Sequence, residues 1–349
     1  MNRLIKIILI IFFSSFILHP SSLFAQAKVG TAGLQFLKVG VSARAVGMGE
    51  AFTAVANDAS ALYYNPAGLI QLTKPEATFT LINYPADIKF IYIGGIIPTP
   101  ITSGVLGIQM TSLFTDDMIE TTPSMIYGTG RTFTASDLAA AVTYCQRLTN
   151  KFSVGASFKY LSEHLANATA NGWSADVGTF YTTGWKKINI GMVIQNFGAD
   201  MKFEDTPFPL PIIFKFGASM TALEKGPYSL LLSGEFLHPN DNVEIYNIGA
   251  EFSYMRMFSL RFGKRVNALV RDSWLAYDED SQRDPFVEYP LFEKDYNGDL
   301  SLVLDGVSFG VGVKIPEAGV NIDYAWGGLG TLGGAHRFTI GYMLAGRLF

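Results

Sequence analysis

The chain has 349 residues, of which 49% are hydrophobic, 13% aromatic and only 16% charged, with a formal net charge of −4. A net acidic balance argues against a nucleic-acid partner, and the one cysteine, Cys145, excludes an internal disulfide. Past residue 27 no stretch reaches 18 uninterrupted apolar residues, which excludes a bundle of membrane helices.

The chain opens "MNRLIKIILIIFFSSFILHP". Arg3 and Lys6 give a basic start, an apolar run follows from Leu4 to Leu18, and Ala25-Gln26-Ala27 supplies a small-residue cleavage site. Residues 1–27 read as a secretory signal peptide. Cleavage after Ala27 takes Arg3 and Lys6 away and no acid, so 322 residues remain with 24 basic and 30 acidic side chains. An exported chain this apolar, yet without long apolar runs, fits a transmembrane barrel, which hides its apolar surface in alternation.

Residues 28–74 precede the first strand and contain "RAVGMGEAFTAVANDASALYYNPAGL", Arg44 to Leu69. Asp58 is expected to cap a helical "ASALYY" by accepting from its first free N–H groups. Asn65 and Pro66 repeat the device, with Gly68 ending the turn. Gly40, Gly47 and Gly49 allow sharp reversals or close backbone approach. Phe52, Leu62, Tyr63, Tyr64 and Leu69 speak for a folded segment rather than a tail. Its expected place is inside the barrel, near the periplasmic mouth. Gly47 and Gly49 lack the third glycine and the βαβ context of a dinucleotide site.

From residue 75 onward the pattern has period two. In "KFSVGASFKYL", Phe152, Val154, Ala156, Phe158 and Tyr160 share one face and Ser153, Gly155, Ser157 and Lys159 the other. "GVSFGVGVKI" and "HRFTIGYML" alternate likewise. Strands are expected at 76–84, 88–98, 101–114, 135–148, 152–165, 171–183, 187–197, 212–220, 227–237, 244–254, 257–264, 304–315, 319–326 and 336–345. The connections alternate between short (99–100, 149–151, 184–186, 221–226, 255–256, 316–318) and longer (115–134, 198–211, 265–303, 327–335). Short periplasmic turns and longer external loops are the asymmetry of outer-membrane barrels, and an even strand number returns the C-terminus to the periplasmic side. Tyr181, Trp185, Tyr228, Tyr254, Trp326 and Tyr342 lie near strand ends, at headgroup level. The chain ends on an aromatic residue, Phe349.

Two longer loops carry a candidate partner surface. "FEDTPFPLP" is rigid and apolar, with Phe203, Pro207 and Pro209. The acidic 266–304 loop carries Trp274, Tyr277, Phe286, Tyr289, Phe292 and Tyr296, the amphipathic aromatics that suit protein contact. Its "DYNGD", Asp295–Asp299, falls short of a full calcium loop. His164, His238 and His336 are widely spaced and have no metal-ligand spacing. Cys145 alternates with Ala139, Ala141 and Thr143, facing inward without catalytic company. No nucleophile motif, metal or cofactor is expected, and no enzyme.

"GTAGLQFLKVGVSARAVGMGEAFTAVANDASALYYNPAGL", Gly30 to Leu69, resembles the N-terminal signature of the PorV/PorQ family, within the FadL-like group of outer-membrane barrels. The resemblance implies an all-β fold: a 14-stranded antiparallel transmembrane β-barrel over 75–349, with a small lumenal plug of short helices over 28–74. It marks Arg44, Gly47, Gly49, Asp58, Tyr64, Asn65, Pro66, Ala67 and Gly68 as plug residues. It places the chain in the outer membrane of a Gram-negative, Bacteroidota-like bacterium. The implied role is a secretion accessory of a type IX system, its loops binding translocon subunits, attachment-complex subunits or the C-terminal domains of exported cargo. The alternative is a FadL-like transporter for fatty acids or other hydrophobic small molecules held in the lumen. The scaffold does not choose between them.

Overall fold

A computed structural model describes residues 30–99, 102–267 and 305–344. Fourteen strands form a closed antiparallel barrel. They are β1 (Glu76–Asn83), β2 (Lys89–Thr99), β3 (Gly104–Phe114), β4 (Ala135–Arg147), β5 (Phe152–Leu165), β6 (Ala168–Thr182) and β7 (Ile188–Gly198). Then come β8 (Ile213–Lys225), β9 (Tyr228–Pro239), β10 (Ile245–Tyr254), β11 (Phe258–Asn267), β12 (Val307–Ile315), β13 (Val320–Gly328) and β14 (Gly334–Met343). Each pairs with its chain neighbours, and β1 closes on β14 in a register that sets Phe79 opposite Ile340. Closure leaves no unpaired edge, as a bilayer requires.

The alternation read from the sequence decides which side faces out. On β5, Ser153, Gly155, Ser157 and Lys159 are buried inside, while Ala156 and Phe158 are exposed. Ile108, Ile248 and Leu260 are more than 60% exposed on the same outer surface. Water would penalise so large an apolar belt, and lipid covers it without cost. The belt runs along β5 from Phe152 to Tyr160, about 20 Å at the usual strand rise and tilt. Phe158 and Tyr160 meet Trp173 of β6 at centroid distances of 5.1 and 5.0 Å. Beyond this girdle the outer face turns polar, with Ser162, His164 and Asn171, so β5 and β6 rise clear of the hydrocarbon.

The connections at one rim are short: 100–103, 148–151, 183–187, 226–227, 255–257 and 316–319. The opposite rim carries 115–134, 199–212 and the connection after β11, but also the short 84–88, 166–167, 240–244 and 329–333. Three strands run three or more residues past their patterns at one end, among them β11, which reaches Asn267 rather than 264. β6 begins at Ala168 rather than 171, and β8 continues to Lys225 through a bulge between Thr221 and Leu223. The bulge restores pairing where alternation fails, so most of 221–226, expected as a turn, is strand. Two-stranded ribbons decorate the longer connections, Met118–Ile119 with Thr132–Phe133 and Met201–Lys202 with Pro207–Phe208.

The packed core lies inside the barrel. Val41, Phe52, Leu62, Tyr64 and Leu69 are fully buried there.

Candidate functional site

The plug is built of short turns. A 3₁₀ turn spans Gln35–Lys38, α1 spans Ala43–Gly47, α2 spans Ala61–Tyr64, and a second 3₁₀ turn spans Pro66–Gln71. Asn65 caps the last one as its sequence indicates. Its Oδ1 accepts from Ala67 N–H at 3.1 Å, and Pro66 takes the first position. The Asn65 amide also donates to the carbonyls of Thr53 and Thr179, at 3.0 and 3.1 Å, tying two plug segments to β6. Asp58 caps the "ASALYY" segment as its sequence indicates, accepting from Ser60 N–H at 3.0 Å just ahead of α2, and it also pairs with Arg44 at 2.9 Å. Gly68 lies within the 3₁₀ turn rather than ending it, and a Cβ there would sit 2.5 Å from the Ala56 carbonyl oxygen.

The inward glycines are seats for the plug backbone. Cβ atoms on Gly155, Gly191, Gly249 and Gly263 would collide with backbone atoms of Pro66, Thr53, Met48 and Gly49. Gly47 makes a tight but looser approach to Gly310, its own Cβ position lying 3.0 Å from that Cα. Gly49 has φ +64°, which suits glycine, and sits against Ile248 O and Lys264 N. The wall then satisfies the plug's backbone. Glu235 accepts from Phe52 and Thr53 N–H at 3.0 and 2.7 Å. Gln109 donates to Leu62 O at 3.0 Å, Ser153 to Ala67 O at 3.0 Å, and Ser219 to Ala54 O at 2.7 Å. Thr339 accepts from Ala43 N–H at 2.9 Å, and Arg337 donates to Gly40 O at 3.1 Å. Gln195 donates to Tyr63 O, and Cys145 lies beneath the motif, 3.4 Å from Ala67 O.

Toward the short-turn rim the contact is ionic. Arg44 forks onto Glu251 at 2.8 and 2.9 Å. Arg261 reaches Glu251 and Asp323, both at 2.6 Å. Burial disfavours the Arg44 charge, but Glu251 and Asp58 outweigh it and hold the guanidinium more firmly protonated than usual. These groups and Glu76 line a polar cavity of about 260 Å³ at this end.

Toward the long-loop rim the contact is apolar. The arm over residues 30–41 does not stop near the short-turn mouth, where the plug was expected, but crosses the lumen. Leu34, Phe36 and Leu37 join one cluster with Ile82, Phe90, Tyr92, Leu161, Met201 and Leu210. Gly33 N–H donates to Pro209 O at 3.1 Å, and Lys38 pairs with Asp241 at 2.9 Å. Loop 199–212 thus folds onto the arm.

The structure brings Arg44, Gly47, Gly49, Asp58, Tyr64, Asn65, Pro66, Ala67 and Gly68 together inside the barrel. Phe203 is half-buried against Phe208, centroids 5.7 Å apart, whereas Pro207 is exposed. Trp274, Tyr277, Phe286, Tyr289, Phe292, Tyr296 and the Asp295–Asp299 turn lie outside the described residues, as do the leader and Phe349. His164, His238 and His336 pair separately with Thr169, Glu244 and Tyr324. Among the described residues no group of three His, Cys, Asp or Glu is placed to hold a metal. Sequence reasoning missed Glu235, Glu251, Arg261 and Arg337. A signal for them exists: an ionised side chain within a membrane-length strand faces the lumen.

Together these features define a 14-stranded transmembrane barrel whose lumen holds its own N-terminal segment. No protein-family model and no curated protein sequence matches the chain. Among solved structures it resembles the toluene transporter TbuX of Ralstonia pickettii, with TM-score 0.53 and 12% identity over 86% of this chain and 97% of that one. It also resembles the toluene transporter TodX of Pseudomonas putida, with TM-score 0.52 and 11% identity over 86% and 96%. At such identities the likeness is one of fold, that of the FadL-like outer-membrane barrels. The PorV/PorQ affiliation rests on the N-terminal signature alone.

Proposed function

We propose that the chain is an outer-membrane channel for apolar small molecules, with residues 30–72 as its gate. The long-loop rim is then external, following the asymmetry of outer-membrane barrels. One observation carries the reading. The outer half of the lumen is lined by Ile82, Phe90, Tyr92 and Leu161, and the chain's own Leu34, Phe36 and Leu37 occupy it. An apolar solute that displaces the arm exchanges one set of apolar contacts for another, at little cost in transfer free energy. The toluene transporters that share the fold support the same reading. The alternative drawn from the signature therefore replaces the secretion accessory as the favoured role. The 199–212 loop also covers the arm and presents only part of its apolar surface outward.

The test is uptake of the hydrophobic dye N-phenyl-1-naphthylamine by Gram-negative cells expressing the chain. Expression should speed dye entry over vector-only cells without admitting a polar dye of similar size. Entry at the vector rate contradicts the proposal.

A further inference from the structure

The lumen is polarised across its width. β2 and β9 lie seven strands apart in a barrel of fourteen and so face each other. Phe90 and Tyr92 of β2 are buried in the apolar cluster. On the opposite wall stand Lys215, Glu235 and Asn247, only 6, 5 and 1% exposed. Glu235 is directly opposite Asn247 in the β9–β10 register. Lys215 and Asn247 each lie two residues closer to the long-loop rim than Gly217 and Gly249, where Ala54 and Met48 press on the wall. Lys215 and Asn247 therefore sit just on the long-loop side of the plug's central segment, and Glu235, opposite Gly217, sits level with it.

Their hydrogen-bonding capacity is unfilled. Neither atom of the Asn247 amide has a partner, and Glu235 uses Oε2 for the plug while its Oε1 makes no hydrogen bond, the Thr53 hydroxyl beside that carboxylate being unpartnered as well. The Lys215 ammonium hydrogen-bonds to no described residue and stands 5.8 Å from the Tyr64 ring centroid. Buried polar groups are nearly always satisfied, so an orphaned amide beside an orphaned carboxylate oxygen calls for a partner. Lys215 and Glu235 balance each other in charge. What is left over is two donor groups, the ammonium and the Asn247 amide nitrogen, and two acceptors, a set met by a neutral group that both donates and accepts.

We propose that Lys215, Glu235 and Asn247 form a polar subsite for a hydroxyl-type group. Water fills it in the resting protein, and the hydroxyl of an otherwise apolar solute takes its place. The solute's body then lies toward Ile82, Phe90 and Tyr92. This rests on the channel reading and narrows it, from hydrocarbons in general to apolar molecules with one neutral hydrogen-bonding group.

Naphthalene, 1-naphthol and 1-naphthoate share one body and differ in that group. Their equilibrium binding to the full chain in amphipol separates the outcomes. We expect 1-naphthol to bind about tenfold more tightly than naphthalene, the effect of one well-made hydrogen bond. Asn247→Leu should erase that preference and leave naphthalene affinity unchanged. Should Asn247→Leu fold poorly, Glu235→Gln, which keeps the shape, should still reduce the preference. Equal binding of naphthalene and 1-naphthol overturns the subsite and leaves it a water site, with the channel reading intact. Tightest binding of naphthoate, lost in Lys215→Met, overturns it in favour of an anion site. Failure of all three to bind overturns the channel reading as well.

Discussion

Single residues carry the contact between plug and wall, and they fail in different ways. Glu251 bridges two guanidinium groups, those of Arg44 and Arg261. Glu251→Ala leaves one guanidinium with Asp58 and the other with Asp323, and breaking a buried pair from one side typically costs about 3 kcal/mol. The expected result is a lower thermal midpoint together with faster alkylation of Cys145, which lies under the plug motif. Unchanged alkylation would mean that the ion pairs do not hold the plug. Gly263→Ala acts sterically, because its methyl would occupy the place of the Gly49 nitrogen. The barrel should still assemble, since the outer face is untouched, but Cys145 should become reactive. At Gly95, on the outer face, a Cβ meets nothing within 4 Å. Gly95→Ala is thus the matched control and should change neither property.

At the level of elements, the arm and the motif turn hold to the wall by different means. The arm over 30–41 rests on apolar packing, one backbone hydrogen bond to Pro209, donation from Tyr63 to Leu37 O and from Arg337 to Gly40 O, and the Asp241 carboxylate, which pairs with Lys38 and accepts from Gln35. The Asn65–Gln71 turn is anchored by backbone collisions avoided only at glycine, by donation from β4 and β5 to Ala67 O, and by donation from Asn65 to a β6 carbonyl. Asp241→Asn should therefore loosen the arm before the motif turn. Amide exchange should rise at residues 33–39 and stay low at 65–70, and equal rises in both would contradict separate anchoring. The strands were legible in the sequence because lipid outside and a packed plug inside impose a strict period of two. The β8 end was not, because a bulge at Thr221 shifts the alternation. Asn65-Pro66 was legible because capping is local. Glu235 and Glu251 were not assigned, since their partners Thr53 and Arg44 lie about two hundred residues away in the chain and only barrel closure brings them together.

For the whole molecule, the central claim is closure. The barrel wall is continuous across all fourteen strands, and whether anything crosses depends on the segment inside it. Glycine seats, hydrogen bonds and apolar packing together make that segment part of the folded barrel rather than a loose occupant. Ion conductance in a planar bilayer tests this most directly. The full chain should insert without opening a steady ion-conducting path, and removing residues 30–72 should produce one. A steady open-pore conductance from the full chain, equal to that of the deletion, would contradict closure.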